Sequence, residues 1–341
     1  MPPSQTTPGA PPPPRGLAPR GVLVVGASGF IGSRLVRSLA ADPGIGQVRA
    51  ADLRAPQAPL PAGVDFQIWD VRGPAPAGLA DGLDLIVNLA AVHRTPGHPP
   101  EAYYETNIAG AQNTCELAEA AQVPALAFTS SISVYGSGER VMDESTPPDP
   151  GTHYGRSKLL AEQCYRAWGR RRPGRKLVIV RPAVVFGPGE QGNYTRLAAA
   201  LRGGYFVYPG RRDTVKSGGS VDELIRSLRF ALQHPDPEIL YNFAFPEPPT
   251  TEAIVQALCA VTGWRARPPA IPLPLLMAIG AAGEVFDRLG WSNPFHRDRI
   301  RKLVESTRVD PGWLRAQGFQ FHEDLTVALA KWRDESDGRF V

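Results

Sequence analysis

Val22-Leu23-Val24-Val25 runs directly into Gly26-Ala27-Ser28-Gly29-Phe30-Ile31-Gly32, and residues 33–39 follow with helical spacing. A short, unbroken apolar run reads as a strand buried on both faces. Glycines at 26, 29 and 32 allow a tight turn and let backbone approach a pyrophosphate closely. The helix that opens there aims its N-terminus at the negative charge. Strand, glycine turn and helix in that order commit the start of the chain to a parallel α/β sheet carrying a dinucleotide site. Ser28, Phe30 and Ile31 lie inside the turn and are cofactor candidates with the three glycines.

The rest of the first half repeats the alternation. Strands are predicted at 47–51, 65–69, 83–89, 125–129 and 177–180, and helices at 102–121 and 154–168. The expected fold class is α/β, a Rossmann-type doubly wound parallel sheet. After Gly187 the pattern loosens, and a smaller C-terminal α+β substrate lobe is expected over 188–341, with some segments returning to the Rossmann domain of 21–187. Residues 1–20 hold eight prolines and read as a disordered tail.

Composition narrows the function classes. The chain has 341 residues and a net charge of +4, too diffuse to argue for nucleic acid but suited to an anionic ligand or an anionic membrane surface. Cys115, Cys164 and Cys259 are widely spaced, so neither a disulfide framework nor a zinc cluster is expected, and the cytosol is the natural compartment. The six histidines show no metal spacing, and no metal is proposed. No apolar run is long enough for a membrane span.

Asp52 follows the second predicted strand. A carboxylate there binds a ribose 2′-hydroxyl and repels a 2′-phosphate, which favours NAD over NADP, with Arg54 nearby as a counterweight. Asp70-Val71 follows the third strand, where an acid can accept a bond from the adenine amino group. Tyr154-Gly155-Arg156-Ser157-Lys158 opens a predicted helix, and spacing i, i+4 puts Tyr154 and Lys158 on one face. A free tyrosine has a pKa of about 10. A nearby ammonium and a positive nicotinamide ring favour the phenolate, which then takes a proton from a sugar hydroxyl as hydride leaves. A hydroxyl of the Thr129-Ser130-Ser131-Ile132-Ser133 cluster can hold the substrate oxygen beside Tyr154.

With these pieces the chain resembles an extended short-chain dehydrogenase/reductase, of the NAD-dependent epimerase/dehydratase kind. The matching segments are 26–32, Asn88-Leu89-Ala90-Ala91, Asn107, 130–136, 154–158 and Arg181-Pro182-Ala183-Val184-Val185-Phe186-Gly187. The resemblance implies Ser131, Tyr154 and Lys158 as the catalytic set and Ser133 as a second hydroxyl at the substrate. It adds Leu89, Ala90, Ala91, Asn107 and Pro182 to the cofactor residues. Ile132-Ser133 stands where the family's 4,6-dehydratases carry Asp-Glu, so a dehydratase is disfavoured.

A closer likeness reaches into the second lobe. Ala91-Val92-His93-Arg94, Gly192-Asn193-Tyr194, residues 203–207, Lys216-Ser217 and the ending Gly338-Arg339-Phe340-Val341 are similar to bacterial 4-epimerases of N-acetylglucosaminyl-diphospho-undecaprenol. Val92 and the glycines of 217–221 depart from that pattern. What this implies is a sugar-diphosphate substrate, surface polysaccharide biosynthesis and a homodimer. Asn193 and Arg211 are candidates for the diphosphate, and His93 offers either a sugar or diphosphate contact or a structural hydrogen bond. The apolar stretch 271–282, followed by Trp291, Phe295, Arg297 and Arg299, is either lobe core or a dock on the inner face of the cytoplasmic membrane. A nucleotide-sugar 4-epimerase, a 4-keto-sugar reductase and a non-catalytic NAD-sensing protein stay open as alternatives. The intact Ser131, Tyr154 and Lys158 weigh against the last.

Overall fold

A computed structural model describes residues 16–93, 97–278 and 303–340. The strands of the first half are β1 (Gly21–Val25), β2 (Gln47–Asp52), β3 (Val64–Ile68), β4 (Leu85–Asn88), β5 (Ala125–Thr129), β6 (Gly138–Met142) and β7 (Lys176–Pro182). Those of the second are β8 (Val184–Phe186), β9 (Tyr208–Pro209), β10 (Gly218–Ser220), β11 (Glu238–Phe243), β12 (Ala270–Ile271) and β13 (Thr307–Val309). The helices among the described residues include α1 (Phe30–Ala40), α2 (Pro100–Ala120), α3 (His153–Arg170), α4 (Asn193–Arg202), α5 (Val221–Gln233), α6 (Thr251–Thr262), α7 (Gly312–Ala316) and α8 (Leu325–Glu335).

Seven strands form one parallel sheet in the order β11-β7-β5-β4-β1-β2-β3. β1, β4 and β7 are buried along their whole length, as strands with helices on both faces must be. Successive side chains of β1 serve opposite layers. Val22 and Val24 join Leu35, Leu39, Leu224 and Leu228 on the α1/α5 side. Leu23 and Val25 join Ala118, Leu126, Ala161 and Tyr165 on the α2/α3 side. From β1 the chain runs to β2 on one flank, while β4 pairs on the other. The strand order reverses there, and a cleft opens beyond the carboxyl ends of β1 and β4.

The loosened pattern after Gly187 conceals a return to this sheet. α5 packs in the α1 layer, and β11 pairs with β7 from Glu238 against Leu177 to Phe243 against Pro182. The polar Asn242 interrupts the β11 pattern, yet it is fully buried. Its amide is satisfied, Oδ1 accepting from Tyr135 OH at 2.9 Å and Nδ2 donating to Asp310 O at 3.2 Å.

A separate core forms in the second lobe. Phe186, Tyr194, Leu258, Leu329, Trp332 and Phe340 are buried together, with the Phe186 and Tyr194 rings stacked at 4.3 Å. Two short parallel pairings tie the lobe to the segments around the site: β10 lies on β8 and β13 on β6. Arg34 of α1 adds polar links, reaching Asp222 at 2.8 Å and Glu335 at 2.7 Å. Described residues of the apolar stretch include Leu275, 54% exposed, and Leu276, buried. Its continuation from 279 to 302, and Arg94, lie outside the described residues.

Trp332 is fully buried and its ring meets that of Phe340 at 5.2 Å. Trp332→Ala is expected to cost about 3–5 kcal/mol of stability through the cavity it leaves. Urea unfolding followed by fluorescence reads this as a lowered midpoint.

Candidate active site

The glycine turn is shaped by contacts that exclude side chains. Gly26 has φ +82°, a region L-residues rarely adopt. A Cβ on Gly32 would stand 2.1 Å from Gly26 O, and one on Gly26 would stand 2.7 Å from Ala90 N. A Cβ on Gly29 would meet only Gly26 O, at 3.3 Å, and otherwise open space. Gly29 is the N-cap of α1 and brings no side chain to the helix's first N–H groups, which stay available to an anion. Asp52 sits beside them, its Oδ2 accepting from Ser28 N at 2.9 Å. Ser28 Oγ in turn donates to Arg54 O at 2.7 Å. An open backbone cradle with a carboxylate at its edge fits the pyrophosphate and ribose of a dinucleotide.

The next strand ends extend the cleft. Asp70 is half-buried and engages Arg72 at 2.5 Å, which holds its carboxyl below the usual range. The Val71 carbonyl accepts from Asn113 at 2.7 Å. At the end of β4, Asn88 Oδ1 accepts from Ala90 N at 2.9 Å while Nδ2 donates to Tyr165 OH at 2.6 Å and Thr114 Oγ1 at 3.0 Å. The turn Leu89-Ala90-Ala91 is thereby bent back against Gly26. The Asn107 amide is committed to protein, with Oδ1 accepting from Val92 N at 3.0 Å and Nδ2 donating to Val92 O at 3.1 Å and Ser157 Oγ at 2.8 Å. It braces the β4 edge against α3.

α3 carries the reactive groups. Thr152 caps it, its hydroxyl accepting from Gly155 N at 3.0 Å. Gly155 lets the helix start press on the serine turn, because a Cβ there would stand 2.2 Å from Ser133 O. Ser131 opens that turn, and its Oγ accepts from Ser133 N at 3.1 Å and meets Ser133 Oγ at 3.1 Å. Ser131 also hydrogen-bonds the Tyr154 phenol. The phenol is pushed up to about 12 by burial, and the bond from Ser131 opposes this. Lys158 is buried; its Nζ donates to Thr129 O at 2.8 Å and lies 4.7 Å from the centre of the Phe128 ring. Burial pushes the amine down to about 7, against the pull of Glu162. The structure thus brings Ser131, Ser133 and Tyr154 together, with Lys158 one helical turn along α3. Pro182 ends β7, next but one to β4 in the sheet.

Sequence reasoning passed over the groups behind them. Glu162 and Arg181 form a buried ion pair at 2.6 Å, and Ser130 Oγ donates to Glu162 at 2.5 Å. The available signal was spacing, since Glu162 follows Lys158 by i, i+4 on the same helix face.

The candidates for the sugar and its diphosphate are more exposed. His93 is exposed. Asn193 opens α4, and its Oδ1 accepts from Arg196 at 3.1 Å. Arg211 pairs with Glu139 and Asp213, both at 2.7 Å, so a diphosphate there would compete with two carboxylates.

A model described as the NAD dependent epimerase/dehydratase family matches residues 22–244. The N-acetyl-alpha-D-glucosaminyl-diphospho-ditrans,octacis-undecaprenol 4-epimerase of Escherichia coli O157:H7 is 31% identical over 312 residues, 90% of this chain and 92% of that protein. A UDP-glucose 4-epimerase of Vibrio cholerae is 28% identical over 229 residues, 64% of this chain and 68% of that one. A solved structure described as MoeE5 in complex with UDP-glucuronic acid and NAD is 26% identical with a TM-score of 0.71, covering 93% of this chain and 99% of its own. The glycine cradle, the Asp52 carboxylate and the Ser131–Tyr154–Lys158 cluster thus stand in a chain that belongs to the NAD dependent epimerase/dehydratase family.

Proposed function

We propose that the protein is a sugar 4-epimerase that converts N-acetylglucosamine to N-acetylgalactosamine on an undecaprenyl diphosphate carrier, for surface polysaccharide. The observation that carries this reading is the extent of the likeness. The lipid-linked sugar epimerase is matched over 90% of this chain, whereas the UDP-glucose enzyme is matched over 64%. A free nucleotide sugar is the second reading, favoured by the UDP-glucuronic acid in the 26% identical structure.

The glycines at 26, 29 and 32 and the start of α1 would hold the pyrophosphate of NAD, Asp52 a ribose, and Asp70-Val71 the adenine. Leu89, Ala90, Ala91 and Pro182 would line the nicotinamide half. Bound there, NAD⁺ supplies a hydride acceptor and a positive charge beside the phenol. The chain's own groups handle the proton. Left alone, the half-buried Tyr154 keeps its proton, with a pKa pushed up to about 12 by desolvation. A cation beside it favours the phenolate, and Tyr154 then removes the proton of the sugar 4-hydroxyl. Ser131 and Ser133 hold that oxygen as it becomes a carbonyl. Tyr154 returns the proton once the sugar has presented its other face. A sugar that turns over must stay tethered, and Asn193, Arg211 and His93 are our candidates for its diphosphate. Lys158 holds Tyr154 in its reactive form by charge.

A lipid carrier would bring the enzyme to the inner face of the cytoplasmic membrane as a peripheral protein. No helix among the described residues is long and apolar enough to cross one. The homodimer belongs to the same reading, through the outer faces of α2 and α3, where Leu160 is 39% exposed.

Three outcomes are expected. Incubation with undecaprenyl-diphospho-N-acetylglucosamine and, separately, with UDP-N-acetylglucosamine, followed by sugar analysis, gives N-acetylgalactosamine from the lipid-linked sugar; conversion of the UDP sugar alone overturns the reading. Tyr154→Phe lowers kcat by roughly 10²–10⁴-fold and leaves NAD bound, which calorimetry checks. Gly32→Ala abolishes NAD retention, because its Cβ would stand 2.1 Å from Gly26 O; nucleotide release from the denatured protein measures this.

A further inference from the structure

We propose that Glu162 is a positioning residue for the proton relay: paired with Arg181 inside the protein, it pins the turn that carries Ser131 and keeps the Lys158 amine charged. The proposal rests on the Tyr154–Lys158 relay described above.

The geometry is a buried chain of polar groups that spans the sheet behind the site. Glu162 is 1% exposed and Arg181 3%. The guanidinium approaches both carboxylate oxygens, Nε to Oε1 at 2.8 Å and Nη2 to Oε2 at 2.6 Å. Its third arm, Nη1, donates to Tyr135 OH at 2.8 Å, and Tyr135 OH donates on to Asn242 of β11. On the other side Ser130 Oγ donates to Glu162 Oε1 at 2.5 Å. Ser130 precedes Ser131, and its N–H is tied to Val180 O at 2.7 Å. The carboxylate therefore fixes the end of β5 where the substrate-holding hydroxyl begins.

A buried ion pair is weak evidence for stability, because well-packed apolar residues often do as well. Two functions here need the charge. The first is a strong acceptor for the Ser130 hydroxyl. The second is a negative field at Lys158, one helical turn away on the same face. Burial pushes the Lys158 amine down to about 7, and Glu162 is the group that opposes it. The groups around the carboxylate are Arg181 from β7 with Tyr135 behind it, Ser130 from the end of β5, and Lys158 on α3; α2 brings Tyr103 towards Tyr154, ring centroids 6.3 Å apart. Removing the negative charge withdraws support for the proton on Lys158, so its titration moves to lower pH. At neutral pH less ammonium is present, and ionising Tyr154 becomes harder.

The test is the titration of Lys158 in ¹⁵N-lysine-labelled protein as purified, its signal assigned by loss in Lys158→Met. Glu162→Gln keeps the volume and an acceptor for Ser130 but loses the charge. Its Lys158 midpoint is expected to fall by about one pH unit, the lower end of the range for a nearby opposite charge. kcat at pH 7 falls about tenfold, a part of the usual general acid–base contribution, with KM unchanged within about twofold. Glu162→Asp restores the midpoint. Should Glu162→Gln fail to fold with Arg181 left unpaired, Glu162→Gln/Arg181→Gln removes both charges together and is expected to show a fall in the same direction but smaller, because the cation that disfavours the ammonium goes with the carboxylate. Ser130→Ala lowers kcat with the Lys158 midpoint in place. A Lys158 midpoint that stays at its parent value in a folded Gln variant overturns the proposal. The titration uses no sugar, so a different substrate for the enzyme leaves its result standing.

Discussion

Lys158 is held inside the protein by a carbonyl and an aromatic face, Thr129 O at 2.8 Å and the Phe128 ring at 4.7 Å. Burying an amine in this way is costly unless something gains from its charge. The groups that gain are on the same helix. Tyr154 lies one turn before it and Glu162 one turn after, so a single face of α3 presents a phenol, an amine and a carboxylate in line. The position of α3 follows from this constraint. Its start is pressed against the Ser133 carbonyl at a place where only glycine fits, and its middle is tied to the ends of β5 and β7.

The sheet sets where that helix can act. Reversal of strand order between β1 and β4 opens a cleft at their carboxyl ends, and the glycine turn, Asp52 and the bent Leu89-Ala90-Ala91 segment all lie along it. Later segments of the chain are tied to the same end. β13 lies on β6 just beyond the serine turn, and Glu144 Oε1 accepts from Asn242 N at 2.9 Å and Trp313 N at 3.2 Å. Strand β11 and the lobe are therefore braced by groups that also back the Ser131 turn. The site is assembled from the ends of many elements, and each end is fixed by a specific hydrogen bond.

Much of this was legible in the residues alone. β1, the glycine turn and α1 are read from a buried run followed by small residues, and β5 at Ala125–Thr129 falls on its predicted bounds. The pairing of Tyr154 with Lys158 needed only helical spacing. β11 was obscured because its apolar alternation is broken by Asn242, a buried polar residue whose partners, Tyr135 and Asp310, are far away in sequence. Glu162 was overlooked for a related reason. A carboxylate on a helix ordinarily reads as a solvated surface charge, and only the arrival of Arg181 from β7 turns it inward. The Gly155 contact likewise depends on the serine turn arriving from β5, which no local pattern reports.

On the proposed reading, a phenol beside a buried amine lets one ring carbon lose and regain its own hydrogen. Substrate deuterated at C4 of the sugar tests it most directly. Epimerised product that keeps the deuterium at C4, read by mass spectrometry and NMR, is the expected result. Product that has lost the label to solvent, or carries it at another carbon, rules this chemistry out.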